Sequence, residues 1–145
     1  MSVTPETSGR TDPTPATMPS GLVELVFPVA SDLLLLARLV VSSVAARSGF
    51  DIEEIEDLRL AVDELCLAEL RGRRSGRVVL QVDGSADQIE VWCHHAGAVG
   101  PVDDDGDTDG LSDRILDALV DEHGRVTRDG RAGARMYKRR ARRDG

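Results

Sequence analysis

Four sets of side chains stand out as candidates for chemistry. Asp105, Asp107, Asp109 and Gly110 match the opening of a calcium-binding loop, in which carboxylates two residues apart converge on one ion. The bidentate acid that should close such a loop falls at Leu116, so the segment reads as an acidic connection. Cys93-His94-His95, with His123 further on, offers transition-metal ligands. Strand alternation turns Cys93 toward the core and sends His94 and His95 to opposite faces, so no shared ion is expected. Arg38 interrupts the apolar run Leu33 to Val41. It is either a snorkelling arginine at the edge of a packed face or a contact arginine presented to a partner. Glu64 lies in Leu60-Ala-Val-Asp-Glu-Leu-Cys66, beside Ala61 and Ala68 on a helix flank, where it reads as a solvated carboxylate. No P-loop, G-x-G-x-x-G or Ser/His/Asp arrangement is present.

The elements that position these residues follow from periodicity. Leu22 to Pro28 is a short β-rich run, and its proline suits the edge of a sheet. Ser31-Asp32 is expected to cap a helix running to about Arg47, with Ser48-Gly49 as its stop. Asp51 caps the next helix, with Glu53, Glu54 and Glu56 at its N-terminal end and Arg71, Arg73 and Arg74 at the other. Ile55, Leu58, Val62, Leu65 and Glu69 share one face of it. Gly76–Asp83 and Gln88–Cys93 alternate around a turn, which predicts a hairpin. A third helix is expected from Leu111 to about His123, with Ile115, Leu116, Leu119 and Val120 inward and Gly124 closing it. Val126-Thr127 and Ala134–Arg139 flank the turn Asp129-Gly130. The order β-α-α-β-β-α-β-β predicts an α/β (α+β) two-layer sandwich, helices on one face of a mostly antiparallel sheet.

At 145 residues the chain is one domain, with residues 21–140 folded, 1–20 a Pro-, Ser- and Thr-rich tail and 141–145 a basic tail. Aromatic residues are 3% of the chain, so Leu, Val, Ile and Ala must build the core. The net charge of −8 argues against nucleic-acid binding by the body of the protein. The charge is divided: +7 from Arg125 onward and −15 before it. The basic end reads as a solvated strand edge or, alternatively, as a phosphate contact. No segment reaches the roughly 18 apolar residues of a membrane span. With no secretory pattern, a cytoplasmic protein is expected. Cys66 and Cys93 read as buried, reduced thiols.

The stretch Glu53-Glu-Ile-Glu-Asp-Leu-Arg-Leu-Ala-Val-Asp-Glu-Leu-Cys66 resembles the N-box helix of the anti-sigma factor/serine-protein kinase family of RsbW and SpoIIAB type. The likeness is strongest to the shorter, divergent actinobacterial members of the UsfX kind. It extends over roughly residues 21 to 140 and implies the GHKL (histidine-kinase/Hsp90-like ATPase) fold. The resemblance makes Glu64 the match of the family's general base. The Mg²⁺-holding asparagine one turn later is Ala68 here, and a methyl group holds no metal. The aspartate that reads adenine is replaced by His95 in His95-Ala-Gly97, with the next glycine displaced toward Gly100. Of the glycine-rich phosphate cradle only Gly110-Leu111 remains, behind Asp103, Asp104, Asp105, Asp107 and Asp109.

These departures imply no bound metal and no cofactor, ATP with Mg²⁺ entering only if the site still functions. Carboxylates beside a triphosphate repel it. The partner half of the resemblance is better kept. Arg38 matches the first-helix arginine that contacts an acidic residue of a sigma factor. The family relation further implies competition by a STAS-domain anti-anti-sigma factor, homodimerisation, and no direct contact with nucleic acid or membrane. Two functions follow: an anti-sigma factor with a degenerate nucleotide site, or an active serine kinase using Glu64.

Overall fold

The computed structural model describes residues 21–97 and 110–141. In chain order these form β1 (Gly21–Pro28), a 3-10 turn (Ser31–Leu33), α1 (Leu34–Arg47), α2 (Ile52–Leu70), β2 (Arg77–Gly84), β3 (Gln88–Ala96), α3 (Leu111–Leu119), β4 (Glu122–Arg128) and β5 (Arg131–Arg139). The expected tails, apart from Ala141, and the Asp-rich connection with its candidate calcium carboxylates lie outside the described residues.

The five strands make one antiparallel sheet in the order β1-β2-β3-β5-β4. β1 is at one edge, as Pro28 suggested, and the basic strand β4 is at the other. The helices cover one face: α1 lies over β1 and β2, α2 over β3 and β5, and α3 packs on α2 and β4. Ala37, Val41 and Ala45 of α1 meet Leu58, Ala61, Val62 and Leu65 of α2 and the inward rows Val78-Leu80-Val82 and Ile89-Val91-Cys93, all buried. A fully buried aliphatic side chain contributes about 1.5–3 kcal/mol, so this layer holds the sandwich with few aromatics.

Sequence and structure differ mainly at helix ends. Ser31 and Asp32 start a 3-10 turn with no side-chain cap, and α1 begins only at Leu34. α2 starts where expected, through a capping box: Asp51 accepts from the Glu54 N–H (2.8 Å) and Glu54 from the Asp51 N–H (3.0 Å). Arg71, Arg73 and Arg74 follow the helix rather than filling its last turn. α3 stops at Leu119, not near His123, because Val120 turns extended (φ −132°, ψ 167°) and the Asp121 N–H donates to Tyr137 O in the sheet. Gly124 therefore lies inside β4 and caps no helix. The β4–β5 turn is as read: Asp129 (φ 53°) and Gly130 (φ 78°) are both left-handed, the requirement of a type I′ hairpin.

Candidate functional site

α2 is the element around which the expected site residues gather. Glu64 stands on its flank, half-buried, and α3 comes to meet it. Gly110 (φ 64°) is the N-cap of α3 and offers no side-chain cap. Two residues on, Ser112 Oγ donates to Glu64 Oε2 at 2.8 Å. Glu64 thus accepts a hydrogen bond from a hydroxyl at the N-terminus of a helix, where the first turn favours a carboxylate. Chemically this is the contact a general base makes with an alcohol, and the alcohol belongs to the chain itself. Ala68, one turn further along α2, is exposed.

His95 ends the inward row of β3, one step beyond Cys93. Its Nε2 donates to Ser75 O (2.8 Å), which leaves Nδ1 as the acceptor for Arg73 Nη1 (3.1 Å). Both ring nitrogens are thereby spent on the α2–β2 connection. Gly97 (φ 133°) follows, and a Cβ there would lie 2.9 Å from Gly76 Cα, so two glycine backbones pack directly together. The four metal-ligand candidates are not brought together. Cys93 is in the core 3.6 Å from Cys66, both thiols free. His94 packs tilted against the Trp92 ring on the opposite face, and His123 bonds Asp117 (2.6 Å). The Cys93 thiol is pushed well up, first by its hydrogen bond with Cys66 and then by burial. Among the described residues no three His, Cys, Asp or Glu side chains converge as a metal site.

Arg38 has a partner that the sequence did not announce. Its Nε donates to Asp63 Oδ1 at 2.8 Å across the α1–α2 contact, with both side chains partly exposed. Leu35 and Leu39 of α1 and Leu60 of α2 lie exposed on the same two helices. Sequence reading missed Asp63, Ser112 and Arg73 because each pairs across 22 to 48 residues of chain, beyond any local periodicity. Part of the charge of the basic end is met inside the fold. Arg125 bonds the buried Glu69, Arg128 and Arg135 both bond Glu90, and Lys138 donates to Leu119 O.

No protein-family model matches the chain. Curated relatives do. The serine-protein kinase RsbW of Listeria monocytogenes is 27% identical over 119 residues, 69% of this chain and 76% of that protein. The RsbW of Bacillus pumilus is 34% identical over 70 residues, and that of Bacillus subtilis 32% over 73. The chain is thus similar to serine-protein kinases of the RsbW type. Its antiparallel sheet with three helices on one face is the GHKL-like fold of these RsbW homologues. The two Bacillus matches span 48% of this chain and only 40% and 46% of the RsbW proteins themselves. None of the described helices is long and apolar enough to cross a membrane.

Proposed function

We propose that this RsbW-type chain is an anti-sigma factor that sequesters an alternative RNA polymerase sigma factor and is released by a STAS-domain anti-anti-sigma partner. In this reading its nucleotide site is degenerate. The observation that carries the reading is His95. At the position where the family reads adenine with an acid, this chain has an imidazole whose two nitrogens already serve Arg73 and Ser75. Ala68 adds a methyl where a metal-holding amide is needed, so the residues present do not suit Mg·ATP.

The partner half rests on Arg38. Asp63 takes only its Nε in the bond described, leaving the terminal nitrogens of a partly exposed guanidinium for a partner's carboxylate. Exposed leucines on the same helices supply apolar contact area around it. The protein acts in the cytoplasm as a homodimer and makes no contact of its own with nucleic acid.

The active-kinase reading has one observation in its favour: Glu64 is kept and holds a serine hydroxyl at 2.8 Å. A pull-down from host lysate with mass spectrometry tests the main reading. Tagged wild type is expected to recover a sigma factor or a STAS protein, and a folded Arg38→Glu variant to lose the sigma factor. Recovery of neither by the wild type, at good bait expression, overturns it.

A further inference from the structure

Apolar packing holds the α1–α2 contact together: Ala37, Val41 and Val44 of α1 and Leu58, Ala61, Val62 and Leu65 of α2 are all buried. On the open side of that contact lies an ion pair, Arg38 Nε to Asp63 Oδ1 at 2.8 Å, with 35% and 25% of the two side chains exposed. A partly exposed pair of this kind adds little to stability. Asp63 also has a cation nearer in sequence. Arg59 lies one turn back on α2, yet it bonds Glu56 (2.9 Å). The Asp63 carboxylate is spent instead on a side chain of the other helix.

What the pair does is fix the Arg38 guanidinium. Asp63 engages Nε, and among the described residues neither terminal nitrogen of Arg38 has a partner. The edge that carries those two nitrogens is left free, and it can take a carboxylate through two parallel hydrogen bonds. Leu35 and Leu39 stand within one turn of Arg38, and Leu60 one turn before Asp63, each half or more exposed. Exposed leucines about a charge with unused donors suit an apolar partner segment that carries an acid.

We infer that Asp63 is a positioning residue of this partner surface. It holds the Arg38 guanidinium in place before binding, so that an acidic residue of the sigma factor meets donors already aligned. The inference rests on the anti-sigma reading proposed above and adds to it a residue of α2 that acts through Arg38. Restraining one long side chain beforehand is worth about two- to tenfold in affinity. Repulsion between Asp63 and the incoming acid works against this, and solvent and salt screen it at a partly exposed site. An uncharged acceptor at position 63 therefore keeps the benefit.

The test is a set of variants of the full chain titrated with the sigma factor recovered from the host. Asp63→Ala should weaken binding about two- to tenfold. Asp63→Asn, whose amide oxygen still accepts from Nε, should recover most of that loss. In an Arg38→Ala background, Asp63→Ala should have no further effect. In the free chain the Arg38 Nε–H, identified by NMR from its absence in Arg38→Ala, should exchange with water more slowly in wild type and Asp63→Asn than in Asp63→Ala. Circular dichroism should be unchanged throughout, because the pair is not part of the core. Unchanged or tighter binding by Asp63→Ala, no recovery in Asp63→Asn, an equal loss in the Arg38→Ala background, or equal exchange in all three chains overturns the inference while the anti-sigma reading stands. A wild type that binds no sigma factor overturns both.

Discussion

Charged side chains in this protein matter by where their counter-charge comes from. Glu69 continues the apolar stripe of α2 and is 2% exposed, so its charge is tolerated only because Arg125 reaches it from β4. One of its oxygens, Oε1, has no hydrogen-bond partner among the described residues even so. Arg125→Ala is expected to destabilise the fold by about 1–3 kcal/mol, the cost of a buried acceptor left unpaired. Glu69→Leu should cost less, because an apolar residue removes the desolvation penalty together with the pair. Urea denaturation of the two variants checks the order. The stripe itself was legible in the sequence, including the odd position of Glu69. Its arginine was not, being 56 residues away on a strand with several others to choose from.

Local signals carried the elements wherever hydrogen bonds within an element decided the outcome. The capping box of α2 and the Asp129-Gly130 turn are both local chemistry, and both stand where the residues placed them. The end of α3 was decided elsewhere. Helical periodicity runs on through Leu119 and Val120, but Asp121 is claimed by β5 through its backbone N–H and through its carboxylate, which accepts from the Arg139 N–H at 2.7 Å. A tertiary ladder overrides propensity there. For the same reason β3 extends past Cys93 to Ala96, since β2 pairs with it throughout. Asp51→Ala removes the N-terminal cap and should cost about 1 kcal/mol. Because α2 carries Asp63, Glu64 and Glu69, thermal unfolding of that variant should fall as a single transition rather than as a local fraying.

Over the whole molecule, the acidic body and the basic end are halves of one arrangement. Glu90, in the middle of the outer sheet face, gathers Arg128 from β4 and Arg135 from β5. Burial pushes its carboxyl pKa up, but the hydrogen bonds and charges of Arg135 and Arg128 outweigh this and hold it below the ordinary glutamate range. The folded state therefore binds fewer protons than the unfolded state at acid pH. Its contribution is complete above the ordinary glutamate value and is lost as the pH falls through the lowered one. Glu90→Gln should flatten the pH dependence of stability in that acid window and leave its slope near neutrality unchanged, as denaturation at a series of pH values would show. Net charge had pointed away from nucleic acid, and the internal pairing of the basic strands supplies a structural use for that charge.

In the function proposed above, the chain holds its partner without a nucleotide. The most direct measurement is a calorimetric titration of the chain with the sigma factor recovered from its host, in the presence and absence of Mg·ATP. Equal affinity in both, with no heat of Mg·ATP binding at micromolar concentration, is the predicted result. Stoichiometric micromolar binding of Mg·ATP, or sigma binding that appears only when it is present, would contradict the account.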